Sequence, residues 1–216
     1  MPASATPTDL AFDGASVDGT WYTSVTNFAR DTHWLNATMF DYTTYGIAGF
    51  AVLALAGWWT ARHRDTRTMT AALAVPVAGI VAYLVNDLIK SAFAEPRPCY
   101  ALPRDFLIEK CPPLSDYAFP SNHTTVAAAV TVALFLVSWR LGVIGVLATL
   151  IMAFSRVYVG AHYPHDVVGA MVVGGLVGIV TALVLRTVAA PLVEKLRAGP
   201  LRPLLTHPAQ ETVGRR

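Results

Sequence analysis

Five long apolar stretches constrain the fold of this chain more than any other feature. They cover roughly residues 42–60, 69–89, 123–139, 141–158 and 166–189. Each approaches the ~20 residues that an α-helix needs to cross the hydrocarbon core of a bilayer. We therefore predict an all-α fold, a polytopic membrane bundle of about five transmembrane helices. A tight turn at Arg140 separates the third stretch from the fourth.

The composition supports a protein that lies in a lipid bilayer. Hydrophobic residues make up 54% of the 216 residues and charged residues 14%. A soluble domain carries about 25% charged residues, so this chain has too few to cover an ordinary aqueous surface. The alternative is a soluble protein with a large buried core, but five such stretches in so short a chain disfavour it.

The two ends of the chain differ from its middle. Residues 1–19 lack the basic start and the apolar centre of a signal peptide. Four apolar side chains then recur at near-helical spacing: Trp21, Val25, Phe28 and Leu35. They predict an amphipathic helix in the membrane interface, and a disordered segment is the alternative. We thus divide the chain into an N-terminal segment (1–41), a transmembrane domain (42–189) and a basic C-terminal tail (190–216).

Positive charges are distributed unevenly between the two sides that five spans would create. One side carries Arg62, Arg64, Arg67, Arg140, Arg186, Lys195, Arg197, Arg202, Arg215 and Arg216. The opposite side carries fewer basic residues and many acidic ones. By the positive-inside rule the first set is cytoplasmic, so the loops 90–122 and 159–165 face outward from the plasma membrane and the C-terminus is cytoplasmic. No basic patch is interleaved with aromatic residues, so we predict no nucleic-acid partner.

Both cysteines, Cys99 and Cys111, lie in the loop predicted to face outward. Thiols outside the cytoplasm tend to oxidise, and a bridge closing such a loop stabilises the fold. We therefore predict a disulfide between them, with two free thiols as the alternative. Two sulfurs without an intervening histidine do not make a zinc site.

Three polar groups interrupt the apolar pattern, and the predicted spans return all of them to the outward face. The group "KSAFAEPRP" holds Lys90 and Arg97, "PSNH" holds Ser121, Asn122 and His123, and "SRVYVGAHYPHD" holds Arg156, His162 and Asp166. Three cations in one place suit an anion with several oxygens, such as phosphate. Ser121 is expected to cap the helix that follows, with the first backbone N–H groups of that helix directed at the anion.

The histidines provide chemistry beside this anion site. Asp166 follows His162 by four residues, so its carboxylate can hold one ring nitrogen and leave the other to attack. His123 comes from another helix and can protonate the departing oxygen. His165 is a rival nucleophile, although it is less well placed to be held by its neighbour Asp166. The alternatives are interfacial anchoring residues or a zinc site, and the neighbouring cations disfavour a metal ion.

The three groups in this order resemble the type 2 phosphatidic acid phosphatases. This superfamily also includes bacterial lipid phosphatases and vanadium haloperoxidases, and its signature is K-x6-RP, PSGH and SR-x5-H-x3-D. The resemblance implies that His162 forms a phosphohistidine oriented by Asp166 and that His123 is the general acid. It assigns the phosphoryl oxygens to Lys90, Arg97, Ser121, Asn122 and Arg156, and it implies no metal and no cofactor. Asn122 departs from the pattern, since glycine is usual there.

Within the superfamily the layout is similar to undecaprenyl-diphosphatases of the bacitracin-resistance type. The shared features are the interfacial N-terminal helix, "YTTYGIAGF" at the start of the first span, the tight turn at Arg140, and a polar residue in the PSGH motif. The resemblance implies a membrane lipid phosphate or diphosphate as the substrate. A phosphatidylglycerophosphate phosphatase and a phosphatase of another polyprenyl phosphate share the same motifs and remain alternatives. A non-catalytic anion transporter is the alternative from a different class.

Overall fold

A computed structural model of the chain describes residues 13–206, and the regular secondary structure within that range is all helical. The helices are α1 (Gly14–Asp31), α2 (His33–Ala61), α3 (Thr66–Phe93), α4 (Pro98–Ala101), α5 (Asn122–Phe135), α6 (Trp139–Tyr158), α7 (Pro164–Val188), α8 (Ala190–Ala198) and α9 (Arg202–Leu205). This architecture confirms the predicted all-α membrane bundle.

Within residues 13–206, four helical stretches are long and apolar enough to cross a bilayer: His33–Ala61, Thr66–Ala101 (α3 together with α4), Trp139–Tyr158 and Pro164–Val188. The fifth predicted span, 123–139, corresponds to α5, which has only 14 residues and ends at Phe135. A helix of that length is about 21 Å long, so α5 is shorter than the prediction. Residues 136–138 turn the chain directly into α6.

α5 lies at the centre of the bundle and packs against α3, α6 and α7. Small residues make this packing close. Gly174 and Gly178 of α7 lie so near the backbones of Thr125 and Ala129 that no side-chain carbon fits between the helices. Small residues at such crossings let membrane helices approach closely. The crossing places the first turn of α5 beside the third turn of α7, and the backbone N–H of Ser121 donates to the carbonyl of Asp166.

The predicted amphipathic helix is present as α1, but its end differs from the prediction. The hydroxyl and the backbone N–H of Thr32 both bond to the carbonyl of Phe28 and end α1. Since α2 begins at His33, Leu35 belongs to the first spanning helix and not to α1. Residues 1–12 of the predicted N-terminal segment lie outside the range that the structure describes.

The C-terminal segment is folded as far as Leu205. α8 packs against α3, and the side chains of Val193 and Leu205 are buried. Arg197 donates to the carbonyl of Arg64, and Arg62 donates to the carbonyl of Pro203. These bonds fix the segment to the turn between α2 and α3. Residues 207–216 of the predicted tail are outside the described range.

At the opposite end of the bundle, the long connection between α3 and α5 covers the helix ends. The N–H groups of Ile108 and Glu109 both donate to the carbonyl of Val159, so the connection is attached to the segment between α6 and α7. Cys99 and Cys111 are joined by a disulfide, the pairing expected from the sequence. The polar motifs lie beneath this covered surface.

Candidate active site

The ends of four helices bring the polar motifs together. Lys90 lies in the last turn of α3, Arg156 in the last turn of α6, and Asp166 in the first turn of α7. His123 is in the first turn of α5, and His162 is in the connection between α6 and α7. Most of the predicted site residues are buried: Lys90, Arg97, Ser121, Arg156, His162 and Asp166. Asn122 and His123 are partly exposed.

His162 is held between a carboxylate and a guanidinium. Its Nδ1 lies 3.2 Å from Oδ2 of Asp166, and its Nε2 lies 2.8 Å from Nη1 of Arg97. The carboxylate accepts and the guanidinium only donates, so both contacts assign the proton to Nδ1 and the lone pair to Nε2. Asp166 Oδ2 also accepts from the backbone N–H of Tyr163 at 2.8 Å, which fixes the carboxylate.

The surroundings of His162 keep its imidazole neutral. Complete burial and the positive charges of Arg97, Arg156 and Lys90 hold the pKa of His162 well below its usual range. A neutral ring whose proton is held on Nδ1 presents the lone pair of Nε2, which is the form that a nucleophilic histidine requires.

Arg97 uses three nitrogens for four contacts. Nε donates to the carbonyl of Asp116 at 3.0 Å, and Nη2 donates to Oδ1 of the same residue at 2.9 Å. Nη1 donates to the carbonyl of Ala161 at 2.9 Å as well as facing His162. Arg97 therefore connects the loop between α3 and α5 to the segment that carries the candidate nucleophile.

Lys90 shares a carboxylate with Arg97. Its Nζ lies 3.0 Å from Oδ1 of Asp116. Partial burial would raise the pKa of Asp116, but the charges and hydrogen bonds of Arg97 and Lys90 outweigh it and lower that pKa below its usual range. Asp116 is thus an ionised partner for both cations.

Arg156 makes a bidentate ion pair. Its Nη1 and Nη2 lie 2.6 Å and 3.1 Å from the two carboxylate oxygens of Glu109, and Nη1 also donates to the hydroxyl of Thr43 at 2.9 Å. The remaining nitrogen, Nε, is buried and has no hydrogen-bond partner within residues 13–206. Arg156 therefore has one donor to spare at the site.

The site roles of Asp116 and Glu109 were not predicted from the sequence. Both lie in the loop between α3 and α5, and they neutralise the three cations of the site. A buried cation without a partner is costly, so three of them beside an acidic loop were a signal for such pairing.

Ser121 is at the predicted position but does not make the predicted bond. It is the N-cap residue of α5, yet its side chain accepts no backbone N–H of the helix. Its hydroxyl instead accepts from the hydroxyl of Thr124 at 3.3 Å. The expectation that the Ser121 side chain caps α5 was therefore wrong, and the first backbone N–H groups of α5 are not covered by it.

His123 lies near the cation cluster of Lys90, Arg97 and Arg156. No other described residue makes a hydrogen bond with its ring. The ring is thus available to exchange a proton with a bound molecule.

His165, the rival nucleophile, is engaged on both ring nitrogens. Nδ1 lies 2.8 Å from Oδ1 of Asp18, and Nε2 lies 3.1 Å from Oε1 of Glu95. The backbone N–H of His165 also donates to Asp18 at 2.7 Å. These contacts attach α1 to the start of α7 and favour His162 as the nucleophile. Asp18 and Glu95 were not among the predicted site residues.

A zinc site was the alternative interpretation of the histidine and aspartate cluster. Among residues 13–206, one group has ligand atoms close enough for a metal ion: Glu95, His165 and Asp166, within 4.8 Å of one another. This group includes neither His162 nor His123. The two histidines of the predicted mechanism are therefore arranged around the cations and not around this group.

Comparison with known families agrees with the motifs. Residues 71–189 match the PAP2 superfamily. The chain belongs to the PAP2 superfamily. The matched range contains all three polar motifs, from Lys90 to Asp166.

Two relatives and one solved structure are similar to this chain. The undecaprenyl-diphosphatase BcrC of Bacillus subtilis (strain 168) is 35% identical over 144 residues, covering 67% of this chain and 72% of the relative. The lipid A 1-phosphatase of Rhizobium etli is 30% identical over 167 residues, covering 71% of this chain and 66% of the relative. The crystal structure of the first transmembrane PAP2 type phosphatidylglycerolphosphate phosphatase from Bacillus subtilis superposes with a TM-score of 0.57. Its identity is 21%, and the match covers 79% of this chain and 87% of that chain, which shows a shared fold.

This PAP2 protein is therefore a phosphatase, a hydrolase built into a multi-pass membrane bundle. The family confirms the resemblance derived from the motifs. The roles of the individual site residues remain predictions.

Proposed function

We propose that this PAP2 phosphatase hydrolyses a polyprenyl diphosphate of the undecaprenyl type to the monophosphate, through a phosphohistidine on His162. The observation that carries the proposal is the arrangement of His162, with Nδ1 held by Asp166 and Nε2 directed into the cation cluster. The similarity to undecaprenyl-diphosphatase BcrC supports the choice of substrate.

The reaction has two steps. In the first, Nε2 of His162 attacks the terminal phosphorus, the bond from phosphorus to the bridging oxygen breaks, and His123 gives its proton to that oxygen. In the second, water attacks the phosphohistidine while His123 takes a proton from it, and inorganic phosphate leaves. Asp166 stabilises the positive charge that develops on the His162 ring.

Lys90, Arg97 and Arg156 are proposed to hold the phosphoryl oxygens, together with the backbone N–H groups at the start of α5. Their donors face the carboxylates of Asp116 and Glu109 in the structure. Phosphoryl and carboxylate oxygens accept hydrogen bonds from the same donors. The substrate therefore exchanges with these two carboxylates when it binds, and the spare Nε of Arg156 gives it a further donor.

The hydrocarbon tail has a place beside the site. An apolar cavity of about 300 Å³ lies between α2, α3 and α5, with Phe50, Ile80, Tyr83 and Val126 among its lining residues. Val126 lies about one helical turn from the start of α5, and Tyr83 lies about two turns before Lys90. A lipid can thus leave its tail in the bilayer and the cavity while its head group reaches His162.

The first prediction is a preference for long lipid diphosphates. We expect kcat/KM for a long polyprenyl diphosphate to exceed that for p-nitrophenyl phosphate by at least about tenfold, or ~1.4 kcal/mol. The reason is that the lipid tail need not leave an apolar environment, whereas each CH₂ moved into water costs about 0.8 kcal/mol. The measurement is phosphate release from purified protein in detergent, with a short-chain polyprenyl diphosphate as a head-group control.

Equal turnover of the soluble ester would contradict this prediction. A marked preference for phosphatidylglycerophosphate over the polyprenyl diphosphate would keep the mechanism and change the substrate. If the protein hydrolyses neither lipid, the proposed function is wrong.

The second prediction concerns sidedness. We propose that the site faces outward, so that Ser115 is extracellular and Arg64 is cytoplasmic, because basic residues cluster at the end with Arg64. Cys99 and Cys111 are bonded to each other, so the wild-type chain offers no free thiol. An impermeant maleimide added to intact cells should label the Ser115→Cys variant and not the Arg64→Cys variant. Labelling of both, with the wild type unlabelled, would overturn the assigned topology.

A further inference from the structure

Asn86, in α3, makes three hydrogen bonds beside the candidate site. It is fully buried. Its Nδ2 donates to the carbonyl of Pro120 at 3.0 Å and to Oδ1 of Asn122 at 2.6 Å. Its Oδ1 accepts from the hydroxyl of Thr125 at 2.8 Å. A buried amide whose two N–H groups and carbonyl oxygen are all hydrogen-bonded holds a single orientation.

This orientation determines how the Asn122 amide points. The carbonyl of Pro120 only accepts, so the Asn86 atom that faces it is the NH₂ group. The same NH₂ group faces Asn122, so the atom of Asn122 that meets it is the carbonyl oxygen. The NH₂ group of Asn122 is therefore directed away from Asn86. Within residues 13–206 it has no hydrogen-bond partner, which leaves two donors for a bound molecule.

Asn86 and Asn122 lie between the cation cluster and the apolar cavity. On α3, Tyr83 lines the cavity, Asn86 follows almost one turn later, and Lys90 follows after another turn. On α5, Val126 lines the cavity, and Asn122 is one turn nearer the site. A lipid diphosphate with its tail in the cavity and its terminal phosphate at Lys90 would have its inner phosphate at the level of Asn122.

We propose that Asn86 and Asn122 form a subsite for the inner phosphate, the one esterified to the lipid, and so make the enzyme discriminate diphosphates from monophosphates. This inference rests on the proposed function and deepens it. When the terminal phosphorus is attacked, the inner phosphate becomes the leaving group and gains negative charge. Amide donors directed at that charge stabilise the transition state, and a monophosphate ester has no inner phosphate to receive them.

The test compares two lipid substrates in one protein. Asn122→Gly restores the residue usual in the PSGH motif and removes the amide. We expect the ratio of kcat/KM for polyprenyl diphosphate to kcat/KM for phosphatidic acid to fall about tenfold. Activity on phosphatidic acid should fall less than activity on the polyprenyl diphosphate, because only the diphosphate loses a contact to its inner phosphate. Asn86→Ala, which frees the Asn122 amide to rotate, should lower the same ratio, and Asn27→Ala, an exposed asparagine of α1, should leave it unchanged.

The ratio separates this role from a structural one, because a damaged fold would lower both activities together. An unchanged ratio in Asn122→Gly would overturn the inference and leave the proposed function standing, provided that the wild type hydrolyses polyprenyl diphosphate. If the wild type hydrolyses only monophosphates, the proposed function fails, and the inference that rests on it fails as well.

Discussion

Replacing His162 with alanine is expected to lower kcat/KM by about 10³- to 10⁴-fold, or roughly 4–5.5 kcal/mol. His162 is proposed to form the covalent bond to phosphorus, and no other histidine in the described range has a ring nitrogen held by Asp166 with the other facing Arg97. The kcat/KM of His123→Asn should be lowered by a similar factor, because removing either of two groups that act as a unit costs about as much as removing both. Phosphate release in detergent, at matched amounts of folded protein, measures both.

Two controls make this result specific. His63 is exposed at the opposite end of the bundle, so His63→Ala should keep wild-type activity. His165→Gln retains a donor for Glu95 and should keep activity within about tenfold of the wild type. Full activity in His162→Ala would overturn the nucleophile assignment, and so would a loss in His165→Gln as large as that in His162→Ala. The wild type should also stay active in chelator, since the proposed steps use imidazoles and cations, and a loss there would contradict them.

The membrane bundle and the convergence of the motifs could be predicted from the sequence for physical reasons. A bilayer requires apolar helices of a known length, so hydropathy alone locates them and fixes which loops share a side. Once the sides are fixed, Lys90, His123 and His162 must lie at the same end. The short length of α5 could not be predicted in this way, because its apolar run continues past Phe135 to Val137 while the chain already turns there.

The contacts that complete the site were not predictable in the same way. Glu109 and Asp116 lie in an irregular loop without periodicity, and which cation each one meets depends on how that loop folds over the helix ends. Asp18 meets His165 across 147 residues of sequence, through a helix whose regular backbone is interrupted at Asp18. Asn86 is a polar residue within an apolar span, next to Asp87. Such a residue is a functional signal in a membrane protein, and only its hydrogen-bond partners show what it holds.

The network around Arg97 links the loop between α3 and α5 to the proposed nucleophile. One guanidinium bonds the loop at Asp116 and the catalytic segment at Ala161, and it also faces Nε2 of His162. A phosphoryl group that binds between them has to take over the contacts to Asp116 and to His162. The hydrogen bonds to the carbonyls of Asp116 and Ala161 can remain. The guanidinium would then stay in place while the phosphoryl group replaces the Asp116 carboxylate.

Replacing Arg97 with lysine is therefore expected to lower kcat/KM by about 10²- to 10³-fold, although the positive charge is kept. Lysine has a single ammonium nitrogen, which cannot reach the four acceptors that Arg97 meets with three nitrogens. The matched control is Arg104→Lys, because Arg104 lies in the same loop between α3 and α5 and is exposed. This change should leave activity within about twofold. Thermal unfolding of each variant in detergent should show whether the bundle is retained. Arg97→Lys activity within about threefold of the wild type would mean that charge alone suffices at this position, and the forked geometry would then have no part in catalysis.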